Sequence, residues 1–408
     1  MTSNAGPSRH APWALLFLGL LVVGLVVWAL RLSGGGEPEG VRATLSAAQA
    51  IAGGDTAGFA RATEVRDYVF PRDHGPHPEY RTEWWYLTGN LEDEDGRPWG
   101  FQVTFFRNSV TPDVPERRSA WSTNQTWMAH FALVDIDAGR HVHGERFSRG
   151  AAGLAGGQAE PFRVWLEDWE LAGGEEEFFP LRLRATHGEA SMDLRLEEGH
   201  PMVRQGDRGL SQKGPDPGNA SHYLTWPRMP VEGRVQMGDR DVRVTGQGWM
   251  DREWSTSALG EEHVGWDWFS IQLDDGRNLM FFELRRDDGL PDPLNHGSVS
   301  GPGGLVRTLG AGDVEIQVLD TWASPLDGAE YPSGWQVEIP SEGLSFQVTP
   351  RLRDQEMNTS FRYWEGAVLV EGDSSEGPVS GVGYVELTGY GEDAGTRESA
   401  PGSGMAPG

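Results

Sequence analysis

From Val65 to Tyr390 the chain is a succession of short apolar or alternating runs set between turn residues, and no stretch carries a long amphipathic helical period. In the first half these runs are Phe101–Phe106, Trp127–Asp135, Phe162–Trp169, Leu181–Thr186 and Met192–Glu197. In the second they are Val242–Thr245, Gly265–Leu273, Leu279–Glu283, Val314–Val318, Trp335–Ile339, Leu344–Thr349, Tyr363–Glu371 and Val379–Tyr390. Pairs such as Asp95-Gly96 and Ala138-Gly139 mark turns between them. Aromatic residues suit a pleated, half-buried surface and glycine suits tight turns, so 17 tryptophans and 56 glycines belong with this pattern. Even spacing of short strands predicts an all-β chain built as a barrel or sandwich. A strand, an acidic-glycine turn and a second strand occur twice, as Trp84–Leu91, Glu92–Gly100, Phe101–Phe106 and as Trp266–Leu273, Asp274–Arg277, Asn278–Glu283. This echo predicts two similar barrels in tandem.

The stretch Phe70–Leu91, FPRDHGPHPEYRTEWWYLTGNL, mixes charge and aromatic rings more closely than any other. Thr82–Thr88 reads as a strand, with Gly89 and Asn90 closing it as a turn. Side chains alternate across a strand, which puts Glu83, Trp85 and Leu87 on one face and Trp84, Tyr86 and Thr88 on the other. A carboxylate that shares a face with tryptophan must be paired, solvated or functional, because burying it alone is costly. Gly246–Thr256, GQGWMDREWST, repeats the theme: Trp249, Asp251 and Glu253 share one face, Met250, Arg252 and Trp254 the other. The neighbouring Asp73, His74 and His77 stand in a D-H-x-x-H spacing that matches no standard zinc pattern. With Pro71, Pro76 and Pro78 around them, they read as a rigid loop of local hydrogen bonds, and no metal site is expected.

Composition narrows the function. Sixty-one acids against 34 bases give a formal net charge of −27, which argues against a nucleic-acid partner and for solubility. The absence of cysteine excludes disulfides, thiolate metal sites and a cysteine nucleophile. No Walker loop or G-x-S-x-G elbow is present, and no cofactor is expected.

Ahead of the β region, Ala11–Leu30 is an uncharged apolar run between Arg9 and Arg31. It is long enough to cross a hydrocarbon layer of about 30 Å as a helix. It is also longer than a signal-peptide core, and Ala48–Ala50, a small-residue cleavage pattern, lies too far downstream. The run therefore reads as an uncleaved, single-pass anchor, with the acidic body outside the cytoplasm. The chain then divides into a tail (1–10), a transmembrane helix (11–31), a Gly-rich linker with a short helix over Val41–Ala52 (32–64), a first β domain (65–258), a second (259–391) and a disordered tail (392–408).

Three separated segments, Phe70–Leu91, Ser221–Met229 (SHYLTWPRM) and Gly246–Thr256, occur in the order in which they stand in the AttH and carotenoid 1,2-hydratase family, which the chain resembles over roughly Asp67–Gly389. The resemblance implies two consecutive lipocalin-like (calycin) barrels. Its AttH branch implies an extracytoplasmic protein working beside an ABC transporter. Its hydratase branch implies addition of water to an isoprenoid double bond without a redox cofactor, with His222 and Asp251 at the positions of the catalytic His and Asp. Leu224 and Trp249 depart from that branch, standing where it has Trp and Tyr.

The first reading is a membrane-anchored protein that binds a lipid or isoprenoid and neighbours an ABC transporter permease. The second is a hydro-lyase in which Asp251, its pKa raised by burial, gives the proton and His222 activates water. The third is a ligand-free structural accessory of a transporter. For the first two, the expected ligand-binding residues are Glu83, Trp85, Tyr86, Tyr223, Trp249, Trp254 and Trp266, with Trp84 beside Glu83, Trp85 and Tyr86 at the ligand mouth.

Overall fold

The computed structural model describes residues 56–113, 119–257, 259–260 and 262–390. The expected helices Ala11–Leu30 and Val41–Ala52 and the tail 392–408 lie outside the described residues. Within these, regular structure is almost entirely strand, and no helix is long and apolar enough to cross a membrane.

Thirteen strands form the first sheet. They are β1 (Thr82–Asp93), β2 (Pro98–Ser109), β3 (Gln125–Asp135), β4 (Arg140–Arg149), β5 (Ala155–Ala159), β6 (Phe162–Leu166), β7 (Trp169–Ala172), β8 (Leu181–His187), β9 (Ala190–Leu196), β10 (Val203–Arg204), β11 (Leu210–Gln212), β12 (Ala220–Met237) and β13 (Arg240–Ser257). The second sheet has ten: β14 (His263–Leu273), β15 (Asn278–Arg286), β16 (His296–Ser300), β17 (Val306–Gly310), β18 (Glu315–Val318), β21 (Trp335–Ile339), β22 (Leu344–Pro350), β23 (Glu356–Asn358), β24 (Arg362–Ser374) and β25 (Gly377–Thr388). The pair β19 (Thr321–Ala323) and β20 (Glu330–Pro332) stands apart.

Both sheets are wound the same way. Each opens with a four-strand meander and brings its last strand back beside its first, so that β1 pairs with β13 and β14 with β25. The echoed sequences are the opening hairpins, β1–β2 and β14–β15. Across the gap in the first sheet, Arg146 of β4 pairs with Asp168 and donates to the Thr186 carbonyl at 3.2 Å. Each barrel encloses its own core, around Trp85, Phe101 and Trp254 in the first and Phe269, Trp335 and Trp364 in the second. A third apolar cluster, with Tyr86, Tyr223, Trp249, Trp268 and Tyr384, draws on both sheets and lies between them.

Three of the expected boundaries are corrected. Gly89 and Asn90 do not turn the chain; β1 runs straight through them to Asp93. A Cβ at Gly89 would lie 2.3 Å from the Phe101 ring, so glycine here makes room for a neighbour. Asn90 donates to the Gly383 carbonyl (2.9 Å) and accepts from Arg351 (3.1 Å), tying the first barrel to the second. Phe162–Trp169 is broken at Glu167 and Asp168, where Glu167 takes a positive φ of 57° and starts a turn. Val242–Thr245 and Gly246–Thr256 are pieces of one 18-residue strand, β13.

Candidate functional site

The alternation expected for the two charged segments holds, and it separates their residues into two different places. On β1, Trp85 and Leu87 enter the first barrel's core, as do Met250 and Trp254 of β13 and Leu224 and Trp226 of β12. Tyr86, Tyr223 and Trp249 belong to the cluster between the barrels.

Inside the first barrel Glu83 is completely buried and contacts Arg107 and Arg252. Its oxygens also accept from the His77 backbone N–H, at 3.0 and 3.1 Å. Burial alone would raise its pKa, but the two guanidinium groups overturn that and hold it well below the usual carboxylate range. The spare donors of Arg107 go to the His77 and Tyr80 carbonyls, and Arg252 lies 3.8 Å over the Trp85 ring. His77 reaches Asp73 at 3.2 Å and stacks on Trp254. The D-H-x-x-H loop is thus knitted into the barrel wall by local hydrogen bonds.

The other faces of the same strands line a cavity of ≈ 100 Å³ between the two barrels, several waters' worth of space at roughly 10–15 Å³ each. The first barrel contributes Trp84 and Tyr86 of β1, Tyr223 of β12, and Asp251 and Glu253 of β13; the second contributes Trp266 and Trp268 of β14, Glu365 of β24 and Glu386 of β25. Asp251 is buried and has no cationic partner among the described residues. It accepts from the Tyr223 hydroxyl (2.6 Å), the Thr225 hydroxyl (2.6 Å) and the Trp249 indole N–H (3.0 Å). Burial outweighs these three bonds and pushes its carboxyl up to about 7. The Tyr223 oxygen in turn accepts from the Trp268 indole at 3.1 Å, so the phenol joins the Asp251 carboxyl to the cavity.

Glu386 faces the same space and accepts from the Trp266 indole at 3.1 Å; burial, with Asp251 and Glu253 adding to it, pushes it up to about 8. Burial, with Glu386 close by, also raises Glu365 well above its ordinary value. Neither of its oxygens makes a well-formed hydrogen bond, although the Tyr86 and Tyr363 phenols stand beside it. Glu253 differs from these three carboxyls, since Lys213 and the Ser221 hydroxyl both contact it.

The structure therefore brings together Asp251, Tyr223, Tyr86 and Trp266, with Trp249 behind Asp251 as its donor. It does not bring His222 to Asp251. Their registers on adjacent strands, His222 opposite Trp254 and Thr225 opposite Asp251, put them on opposite faces of the sheet. His222 points into the first barrel, 3.1 Å from the Tyr80 hydroxyl, and burial pushes it down to about 4. Glu83, Trp85 and Trp254 likewise belong to the barrel interior and do not line the cavity. Trp84, expected at a ligand mouth, does line the cavity, whereas sequence reasoning missed Trp268, Lys213, Glu365 and Glu386. The last two carried the signal used for Asp251, an acid embedded in an aromatic and apolar strand, RYWEGAVLV and GYVELT.

One group among the described residues has ligand-like spacing for a cation: Glu262, His263 and Asp292. His263 Nδ1 accepts from the Gly260 N–H and Nε2 lies 2.9 Å from Asp292, so both ring nitrogens are already engaged.

Comparison with known proteins agrees with this architecture. A crystal structure of an AttH protein from Nitrosomonas europaea is 32% identical and superposes with a TM-score of 0.71, over 82% of this chain and all of that one. Kievitone hydratase from Nectria haematococca shares the fold at 15% identity and a TM-score of 0.62, over 81% of this chain and 98% of its own. The dehydratase asqC of Emericella nidulans is 22% identical over 231 residues, which span 52% of this chain and 62% of that protein's length. The AttH-like family model matches residues 61–390. On that match, and on the two like-wound barrels, the chain belongs to the AttH-like family.

Proposed function

We propose that this protein binds an apolar small molecule, lipid or isoprenoid in character, between its barrels and adds or removes water there without a cofactor. The observation that carries the reading is Asp251. It is enclosed in the cavity wall, has no cation beside it, is poised near neutrality and is joined by Tyr223 to the open space. A group with that pKa is populated in both protonation states at neutral pH, which is what proton transfer in either direction requires. A water addition or loss also needs a second proton-handling group, and Glu386 and Glu365 occupy the opposite wall. The indole and phenol faces around them give an apolar ligand its seat. The names of two similar proteins, a hydratase and a dehydratase, support the same reaction class. His222 has no part in this reading, being on the far side of the sheet.

A ligand-free accessory has no use for two buried carboxyls, Asp251 and Glu365, that form no ion pair among the described residues, so the ligand reading is preferred. The test is native mass spectrometry of the purified protein with a panel of lipids and acyclic isoprenoids. A bound species that gains or loses one water, and stops doing so in Asp251→Asn, is the expected result. A bound but unchanged ligand would make the protein a carrier, and no binding across the panel would remove both roles. We also propose that the apolar run Ala11–Leu30 anchors this body at an extracytoplasmic membrane face beside an ABC transporter permease. Membrane fractionation with protease accessibility of the body tests the anchor, and co-purification of a permease tests the neighbour.

A further inference from the structure

The chain has 34 basic residues and one of them, Lys213, is lysine; the rest are arginine. That lysine is buried on the cavity wall. Its ammonium lies 5.1 Å from the Tyr223 ring, 5.4 Å from Phe282 and 5.8 Å from Trp84. Glu253 is the polar side chain it contacts. An ammonium has three donors and a compact charge, whereas a guanidinium is a planar fork. Three rings and one carboxylate leave donors over for a ligand, in a space that a planar fork would fill differently.

We propose that Lys213 holds the ligand by a carbonyl oxygen, so that the molecule handled here is an apolar β-hydroxy ketone or the enone formed when it loses water. This rests on the water-transfer reading above and names its substrate class. In the dehydrating direction the Tyr223 hydroxyl passes its proton to the Asp251 carboxylate and takes in its place the proton α to the carbonyl. The electron pair left on carbon spreads onto the oxygen, where the Lys213 ammonium stabilises it. It then returns to form the carbon–carbon double bond as the β-hydroxyl departs, taking a proton from the protonated carboxyl of Glu386 or Glu365. One water leaves, Asp251 has gained a proton and the opposite wall has lost one; hydration is the reverse.

A single lysine makes the test unusually direct. The full-length protein grown with 13Cε-lysine gives one side-chain resonance, read without any substitution. The enone β-ionone should shift that resonance saturably and bind at least tenfold more tightly than the alcohol β-ionol, and Lys213→Met should bring the ratio near one. Lys213→Arg, which keeps the charge, should not restore it. If β-ionol binds as tightly and moves the resonance equally, the carbonyl inference falls while the apolar-ligand reading stands. If β-ionone binds and the resonance stays still, the anchor is not Lys213. If neither compound binds, both readings fall together.

Discussion

The two faces of the β1–β12–β13 sheet carry buried charge in opposite ways. Inside the first barrel, Glu83 meets two arginines, a histidine and a backbone N–H. Between the barrels, Asp251, Glu365 and Glu386 form no ion pair among the described residues: Asp251 meets two hydroxyls and an indole, Glu386 an indole, and the Lys213 charge acts on Glu386 only from a distance. The same residue type thus serves as a structural pin on one side and as a proton-handling group on the other. What separates them is whether the fold supplies the opposite charge, because a matched buried ion is fixed while an unmatched one adjusts its protonation instead.

Removing Glu83 should have the largest effect. Glu83→Ala leaves Arg107 and Arg252 buried without their anion, a loss of about 3–5 kcal/mol measurable by denaturant unfolding. If Glu83→Ala cost no more than a surface substitution, the pin would not be one. The second test uses the opposite pH signs of the two clusters. Glu83 is held below its ordinary range, so its stabilisation is present at neutral pH and is lost as pH falls through the acid range. Asp251 runs the other way: its ordinary value is 3.8 and its folded value about 7, so stability is full below about 4, declines up to 7 and stays lost above. Asp251→Asn should therefore unfold later than the parent at pH 8, by on the order of 2–4 kcal/mol, with the gain shrinking toward pH 4. Thermal unfolding across that range checks the slope, and a pH-independent difference would contradict it.

Tyr223→Phe is expected to lower the water-transfer rate by about 10²-fold while retaining bound ligand, because the phenol connects Asp251 to the cavity. Steady-state rates alongside ligand titration separate the two effects. The smallest change is expected for His222→Gln, which faces the barrel interior and should leave the water-transfer rate where it was. A loss like that of Tyr223→Phe would mean that the sheet's two faces communicate.

Much of this arrangement was legible in the chain. Even strand spacing marked an all-β fold, the twice-used strand-turn-strand pattern marked the paired winding, and the period of two in EWWYL and WMDREW assigned faces correctly. What alternation could not show was which face looks into a barrel and which looks at the other barrel, since both are aromatic. His222 and Asp251 were joined by family position, whereas strand register parts them. Glu365 and Glu386 carried a local signal as acids in apolar strands, but their place lay beyond reach because nothing local says that β24 and β25 return to face β13. Gly89 and Asn90 misled for a physical reason: they look like turn residues, and their actual work is close packing and a contact between barrels.

The pairing of each first strand with its last has a consequence for how the molecule is made. β1 leaves the ribosome early, yet the partner for its open edge, β13, is the final strand of that sheet. Until β13 follows, the edge carries unpaired backbone groups next to EWWYL, the kind of exposed ribbon that recruits other chains. The binding chamber arrives later still, because Glu386 stands on β25. Nascent chains truncated before Arg240 should therefore aggregate, whereas those ending after Ser257 should be soluble but empty.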